Sequence, residues 1–452
     1  MREILNINKG WKFSKDVSSV PSKLPDDWQD VDLPYTWNGD DGQDGGNDYY
    51  RGKGYFAKIL TKDKMPQGEE IYIQLDGVNS TAEVYFNGKK LCEHNGGYSA
   101  FRVKLDDIKD ENLLVVTADN SPNDYVYPQV ADFTFYGGIY REVKLIGVSK
   151  NHFDLDFFGS TSFAVTPVIS GNDAKITLDA YCNGEVEFEI DDGNEVVAKA
   201  KASGKNPSAV LEIKDVHLWD GVDDPFLYNA SAKLIVDGQV ADEVKSRFGC
   251  RTFEIDAQKG FILNGRPYPL RGVSRHQDRP HIGNALLPEH HKEDMDLICE
   301  MGANTIRLAH YQHAQYFYDL CDERGIIVWA EIPYISKHLE KGVENTISQM
   351  KELIFQNYNH PSIVVWGLSN EISMGGATPA IVQNHKMLND LVHSIEKTRP
   401  TTEAVLTACN INEEYVHISD VLSYNHYFGW YGGDVSMYGD WFDNFHKKYP
   451  NK

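Results

Sequence analysis

The C-terminal part of the chain places a carboxylic acid directly after an apolar run. The apolar run 363–368 leads directly into Ser369, Asn370 and Glu371. A buried parallel strand would carry these residues to the mouth of a barrel, where enzymes of this architecture build their sites. A carboxylic acid held beside an amide that can bind a hydroxyl is half of a glycosidase site, because this chemistry uses two carboxyl groups.

Other polar residues follow apolar runs in the same way, and in a parallel barrel they would meet on one face. Each of them alone is typical of a helix cap or a loop. Taken together they indicate a polar pocket with an aromatic side, in which Asn370 binds the hydroxyl next to the reacting carbon. The predicted pocket residues besides Glu371 and Asn370 are His276, Arg307, His310, Asn425, Tyr427 and Trp430, and Glu331 ends a further run.

A catalytic metal is the main alternative chemistry. His276, Asp278 and His281 lie close in sequence, and His310 with His313 forms an HxxH pair, so zinc could in principle be bound and activate water. However, the HxxH pair follows a strand and precedes a helix, so the two rings need not share a face. Neither a dinucleotide fingerprint nor a phosphate-binding loop is present in a suitable context. The sequence therefore predicts no metal and no cofactor.

The elements that would position these residues alternate between strands and amphipathic helices, which is typical of parallel β/α architecture. Helices are predicted at 288–301 and 315–324. A closed barrel needs eight strands. With six, the final two units and the second carboxylate are expected beyond Lys452. The predicted strands are 268–273, 304–308, 326–330, 363–368, 404–407 and 421–424.

The preceding residues predict two further domains. Residues 1–148 contain short alternating runs with a hairpin signal at Asn87-Gly88, which indicates a jelly-roll β-sandwich. Residues 149–253 contain regularly spaced strands, which fits an immunoglobulin-like sandwich without candidate chemistry. Residues 254–452 form the predicted TIM barrel, incomplete in this chain.

Composition restricts the partners. The 452 residues include 67 acidic and 44 basic side chains, for a formal charge of −23. Such a surface repels nucleic acid and anionic lipid. The six cysteines have no paired spacing, and the N-terminus lacks the apolar core of a signal peptide, so a cytoplasmic location is expected. The sequence leaves a homo-oligomer open.

Several segments carry a resemblance to a known family. In the order in which that family has them, they are 132–143, 270–276, 304–311, 365–371 and 423–431. On these segments the chain resembles the family 2 glycoside hydrolases, which include β-galactosidases and β-glucuronidases. The resemblance implies the same domain plan: a sugar-binding jelly roll, an immunoglobulin-like domain and a TIM barrel.

The resemblance also implies roles for single residues. Glu371 corresponds to the general acid/base and Asn370 to the amide beside it, while Asp132 corresponds to an acid that reaches from the first domain to a sugar hydroxyl. The family's large β-galactosidases place magnesium ligands after Glu331, where this chain has Ile332 to Lys337, so no magnesium site is expected. The polar floor of the sugar subsite corresponds to His276, Arg307 and His310.

The family nucleophile is a glutamate on a later strand, and this chain ends before such a strand. The parent enzyme is therefore expected to be a retaining β-glycosidase, and the 452-residue chain to be inactive. A β-galactoside is the favoured substrate, because Asp132 would repel a glucuronate. The alternatives are a β-glucuronidase and a non-catalytic carbohydrate-binding protein.

Overall fold

The computed structural model describes residues 1–15, 17–44, 48–374 and 376–452, and its first domain is an antiparallel β-sandwich. One sheet has the strand order β1-β12-β5-β9 and the other β3-β2-β4-β10-β7-β8. Alternating apolar side chains such as Trp11, Phe56 and Ile73 fill the space between the sheets. The strands are β1 Glu3–Asn6, β2 Trp11–Ser14, β3 Gln29–Val31, β4 Lys53–Thr61, β5 Glu70–Leu75, β6 Val78–Asn79, β7 Thr81–Phe86, β8 Lys89–Asn95, β9 Phe101–Leu105, β10 Glu111–Asp119, β11 Gly138–Ile139 and β12 Val143–Val148.

The second domain is a smaller sandwich of two antiparallel sheets, β13-β14-β17 and β16-β15-β18-β19. Its core includes Phe163, Phe188 and Phe248. This arrangement agrees with the predicted immunoglobulin-like fold. The strands are β13 Phe163–Ser170, β14 Asp173–Ala180, β15 Asn183–Asp191, β16 Val196–Lys205, β17 Ser208–Ile213, β18 Tyr228–Val236 and β19 Gln239–Phe248.

The third domain begins with a small antiparallel sheet and continues as a curled sheet of six parallel strands in chain order. Apolar residues of strands and helices meet between the two layers, among them Leu308, Met350 and Trp366. The small sheet comprises β20 Phe253–Asp256, β21 Gly260–Leu263 and β22 Arg266–Pro267. The parallel strands are β23 Gly272–Arg275, β24 Thr305–Leu308, β25 Ile327–Glu331, β26 Ile363–Asn370, β27 Thr401–Leu406 and β28 Val421–Asn425. The helices are α1 Pro288–Glu300, α2 Gln315–Arg324, α3 Val343–Asn357, α4 Pro379–Ile395 and α5 Met437–Lys448.

The predicted fold class is confirmed: a jelly roll, an immunoglobulin-like sandwich and a TIM barrel that is incomplete in this chain. The helix predicted at 315–324 has these bounds in the structure. The strand predicted at 404–407 instead runs from Thr401 to Leu406. Its first three residues are buried but polar, so an apolar pattern does not reveal them. Among the described residues, no helix has both the length and the apolar character needed to cross a bilayer.

Hydrogen bonds fix the jelly roll against the barrel. Arg141 Nη2 donates to the carbonyl of Gln312 at 2.7 Å, and the amide of Tyr127 donates to Asn345 Oδ1 at 2.9 Å. Both contacts are buried, where water cannot replace a protein partner, so they form only when the two domains are docked in this arrangement. The first domain is therefore held in place at the mouth of the barrel.

Candidate active site

Strand β26 delivers Glu371 through a local distortion of the backbone. All eight residues of β26 are buried, and its pairing with β27 is irregular between Gly367 and Asn370. Glu371 then adopts φ +48°, in the left-handed region, while its amide donates to the Ala404 carbonyl at 2.8 Å. Irregular pairing and left-handed non-glycine residues are concentrated at functional sites, where they re-aim a side chain. Here the half-buried side chain of Glu371 turns towards the residues that follow the neighbouring strands.

A buried ion pair lies at the centre of this group. Glu331, which ends β25, is fully buried, and Arg307 binds it in a fork with Nε at 2.9 Å from Oε2 and Nη2 at 2.9 Å from Oε1. His310 Nδ1 lies 2.6 Å from Oε1, which assigns the ring proton to Nδ1. Burial raises the pKa of Glu331, but Arg307 and His310 outweigh this effect and hold the pKa below its usual value. Glu331 is therefore a carboxylate at neutral pH.

Arg307 in turn fixes the orientation of two amides. Its Nη2 donates to Asn370 Oδ1 at 2.8 Å, and its Nη1 donates to Asn425 Oδ1 at 3.2 Å. Asn425 Nδ2 also donates to Asn370 Oδ1, at 2.9 Å. Two donors on its oxygen set the amide of Asn370 so that its NH2 group is the part left for a ligand hydroxyl.

The same network holds one oxygen of Glu371. Oε1 accepts from Asn425 Nδ2 at 2.8 Å, and the hydroxyl of Tyr427 lies 3.5 Å away. A carboxyl group fixed through one oxygen can present the other, Oε2, in a defined direction. An acid that must protonate a leaving oxygen needs this kind of placement.

His276 is a second donor at the strand ends. The hydroxyl of Tyr311 accepts from the Gln277 amide at 3.2 Å, so it can donate to His276 Nδ1, also at 3.2 Å. This places the ring proton of neutral His276 on Nε2. Burial, assisted by neighbouring His310, lowers the pKa of His276 to about 4. His276 is therefore an uncharged donor at neutral pH.

The jelly roll forms one wall of the site. The ring of Phe133 lies 4.9 Å from the ring of His276 and 6.0 Å from that of His310. The neighbouring Asp132 is exposed, and its charge acts on both His276 and Tyr427. Residues from two domains therefore border the same space.

The structure brings most of the predicted site residues together, but not all of them. Glu371, Asn370, Asn425, Arg307 and His310 share one hydrogen-bond network, with Tyr427 at its edge. His276 and Asp132 lie beside it. Trp430 does not join them: it is 80% exposed, and its ring neighbour is the equally exposed Tyr431, 6.4 Å away. Tyr431 links it to the edge of the site, because the rings of Tyr431 and Tyr427 lie 5.1 Å apart, and a stacking role for Trp430 stays a prediction.

Sequence reasoning gave no role to three residues that the structure places in the site. Glu331 ends an apolar strand, and such an acid, with an arginine on the preceding strand and a histidine just after that strand, is the sequence signal of a buried ion pair. Tyr311 and Phe133 lie within the segments that carry the family resemblance. Their contacts with His276 join different loops and domains, so spacing alone could not reveal them.

Gly367 shows how closely this site is packed. A Cβ atom at this position would stand 2.4 Å from the Cβ of Glu331 and 2.5 Å from Trp329 Nε1. The guanidinium of Arg307 lies over the ring of Trp329, 4.5 Å from the ring centroid. Glycine is therefore required for β26 to pass beside the buried ion pair.

A second buried carboxyl group follows Glu371 in sequence, but it points elsewhere. Glu403 is the third residue of β27 and lies 3.3 Å from His385 of helix α4, between the sheet and the helices. Burial raises the pKa of Glu403 to about 8, so it is protonated at neutral pH. A protonated acid on the helix side of the sheet cannot act as the nucleophile opposite Glu371.

The proposed metal ligands are also separated. His313 is fully buried, and its Nε2 donates to the Ala309 carbonyl at 3.1 Å, so it does not share a site with His310. Within the described ranges, one group has metal-binding geometry: Asp319, Asp322 and His360. His360 Nδ1 lies 2.6 Å from Asp322, and Arg247 binds Asp319 at 3.2 Å. The atoms that could bind a metal are thus already engaged in ion pairs within the protein, and the three residues lie away from the strand ends.

Three family models match the chain in succession. Residues 43–148 match the sugar binding domain of glycosyl hydrolases family 2, residues 161–251 match the model named for the family itself, and residues 253–452 match its TIM barrel domain. Together they account for all three observed domains.

Individual relatives agree with these matches. A β-glucuronidase of Bacteroides fragilis is 39% identical over 99% of this chain and 66% of its own length, and a β-galactosidase of Thermoanaerobacter pseudethanolicus is 29% identical over 88% and 55%. The crystal structure of an FMN-binding β-glucuronidase from Facaelibacterium prausnitzii L2-6 has a TM-score of 0.95 and 40% identity, over 100% of this chain and 71% of that one. The chain thus spans less than two thirds of the length of these curated relatives. The chain belongs to glycosyl hydrolases family 2.

Proposed function

We propose that this chain carries the acid/base half of the active site of a retaining β-glycosidase, with Glu371 as the acid/base. The observation that supports the proposal best is the bond from Asn425 Nδ2 to Glu371 Oε1, at 2.8 Å, within a network fixed by the buried pair of Arg307 and Glu331. A carboxyl group held in this way, next to an amide that presents its NH2 group, suits the protonation of a glycosidic oxygen.

In the proposed reaction, a second carboxylate attacks the anomeric carbon. At the same time Glu371 gives its proton to the departing glycosidic oxygen, and the bond from that oxygen to the anomeric carbon breaks. The Glu371 carboxylate then takes a proton from water, whose oxygen attacks the anomeric carbon and releases the carboxylate. Two inversions give net retention of configuration.

The protein's own groups would orient the sugar during these steps. Asn370 Nδ2 and His276 Nε2 are donors towards sugar hydroxyls, and the ring of Phe133 borders the same space. Donors fixed by neighbouring hydrogen bonds do not need to reorganise when charge develops. We therefore assign Asn370 to the hydroxyl next to the reacting carbon.

We place a β-glucuronide ahead of a β-galactoside as the substrate, which reverses the order expected from Asp132. The B. fragilis relative and the F. prausnitzii structure, at 39% and 40% identity, are both β-glucuronidases. Two β-galactosidase relatives and the structure of a putative β-galactosidase are less similar, at 29%, 32% and 34% identity. Asp132 is exposed, so solvent screens its repulsion of a sugar carboxylate. The β-galactoside is the second candidate, favoured by the position of this acid beside His276 and Tyr427.

The test uses the full-length gene product with aryl β-glucuronide and aryl β-galactoside substrates. We expect a kcat/KM at least about tenfold higher for the glucuronide, and a loss of about a thousandfold in kcat for Glu371→Gln with substrates that have poor leaving groups. Glu254→Gln, an exposed strand glutamate, is the matched control. Full activity of Glu371→Gln would refute the assignment, and a preference for the galactoside would refute only the choice of sugar.

We also propose that the 452-residue chain itself is inactive, because the two buried carboxyl groups on the strands beside β26 are not free to attack a sugar. Glu331 is bound by Arg307 and His310, and Glu403 faces helix α4. Hydrolysis of either aryl glycoside by this chain, abolished by Glu371→Gln, would contradict the proposal. The same variant separates activity of the chain from that of a contaminating enzyme.

A further inference from the structure

A large cavity lies where the three domains meet, separate from the strand-end site. Its volume is about 900 Å³, at the upper end of the range for small-molecule sites. Arg102 of the jelly roll, Lys233 of the second domain and Tyr316 of the barrel contribute to its walls, whereas Glu371 and Asn425 do not. We call this space the junction cavity.

The walls of the junction cavity are fixed by hydrogen bonds between domains. Gln356 accepts from the amide of Ala100 at 3.1 Å and donates to its carbonyl at 2.8 Å. Asn359 Nδ2 of the barrel donates to Ser246 Oγ of the second domain at 2.8 Å. All of these residues line the cavity. The cavity is therefore preformed, and a ligand would not have to order it.

The charges of the junction cavity largely cancel. Seven carboxylate side chains line it against six arginine and lysine side chains. Lys144 pairs with Asp76 at 2.8 Å, and Arg247 pairs with Asp319 at 3.2 Å. A balanced set of ion pairs creates little net field to attract a phosphate or a carboxylate. The electrostatics therefore favour an uncharged ligand.

The remaining polar groups are suited to hydroxyls. Five further amide and three further serine or threonine side chains line the cavity. Tyr316, 39% exposed, adds an aromatic face at the edge.

We propose that the junction cavity is a non-catalytic binding site for a neutral, hydroxyl-rich ligand of the disaccharide class. Amide groups can donate to and accept from sugar hydroxyls at once, and an aromatic ring can cover the apolar face of a sugar ring. The cavity has room for more than one ring. This site would act independently of Glu371, so the inference goes beyond the proposed hydrolysis.

The test is calorimetric titration of the 452-residue chain with cellobiose and with lactose. We expect saturable binding of at least one of them, weakened about tenfold by Tyr316→Ala through loss of the ring contact. Tyr427→Ala, at the strand ends, should leave the binding of cellobiose unchanged, because cellobiose is neither a β-glucuronide nor a β-galactoside. Tyr125→Ala is the matched control, since Tyr125 is 50% exposed and does not line the cavity.

Three results would overturn the proposal. The first is the absence of saturable binding of both disaccharides by a chain whose circular dichroism shows it to be folded. The second is binding that Tyr427→Ala weakens and Tyr316→Ala does not, which would place the sugar at the strand ends. The third is binding of inorganic phosphate that Gln312→Ala weakens, which would show an anion site instead.

Discussion

Breaking the buried pair of Glu331 and Arg307 should strongly destabilise the barrel, and Glu331→Gln tests this. The variant keeps the shape of the side chain but replaces one acceptor oxygen by an NH2 group, which would face Arg307 or His310, both of them donors. Removing one partner of a buried ion pair costs about 3–5 kcal/mol. Because one acceptor remains, we expect a loss of about 3 kcal/mol in the free energy of unfolding at pH 7.

The pH dependence gives a sharper test of the same contact. The folded-state pKa of Glu331 lies below its unfolded value of about 4.3, so its stabilising effect is complete above that value and is lost as the pH falls through the folded pKa. The difference between wild type and Glu331→Gln should therefore be constant from pH 8 to about 5 and shrink below about 4.

The assay is urea denaturation of the 452-residue chain, followed by tryptophan fluorescence at several pH values. Glu254→Gln is the control, because this glutamate is exposed on a strand. A loss below about 1 kcal/mol at pH 7 would refute the reasoning, since a pair worth so little behaves like a surface contact. A difference that did not shrink in acid would show that charge is not the cause.

Four further predictions follow from the site. In the enzyme, Asn425→Ala should lower kcat about 10–100-fold with little change in KM, because Glu371 loses the hydrogen bond that orients it; a change in KM alone would contradict this. Phe133→Ala should raise KM several-fold while the melting temperature of the barrel changes little, because the substrate loses an apolar contact. An unchanged KM would show that the Phe133 ring does not contact the substrate. Gly367→Ala should lower the free energy of unfolding by roughly 2–3 kcal/mol or prevent folding, because the new methyl group has no room. Soluble yield and denaturation measure this effect, and wild-type stability would show that the space beside Gly367 is not closely packed. The folded-state pKa of Glu403, about 8, lies above its unfolded value, so the stability of the wild type should fall as the pH rises from about 4 to 8. Glu403→Gln should remove this pH dependence and stabilise the chain by a few kcal/mol at pH 8. Parallel pH profiles of the two proteins would contradict this prediction.

The parts of the site that could be predicted from sequence are those set by local pattern. Glu371 follows a long apolar run, and such a run in a β/α rhythm predicts both the strand and the edge at which its last residues lie. The convergence of Asn370, Arg307 and Asn425 follows from the same rule, because parallel strands in chain order bring their ends to one face.

The remaining features depend on contacts that local pattern does not encode. Trp430 has the right residue type and position to stack on a sugar, but the loop after β28 turns it into solvent. Phe133 lies more than a hundred residues before the barrel, and its contact with His276 depends on how two domains pack. In the sequence, Glu331 does not differ from other acids at strand ends. Its buried ion pair depends on Arg307 and His310, which bind it from the neighbouring strand and the loop after that strand.

The jelly roll places the ring of Phe133 beside two imidazoles of the barrel, and this contact has a consequence for biosynthesis. Domains generally fold in the order in which they leave the ribosome. The jelly roll would thus be folded before the first parallel strand leaves the ribosome, and the barrel would complete the site against this folded surface. A barrel expressed without the jelly roll would lack the wall that Phe133 provides, whatever the stability of the barrel itself.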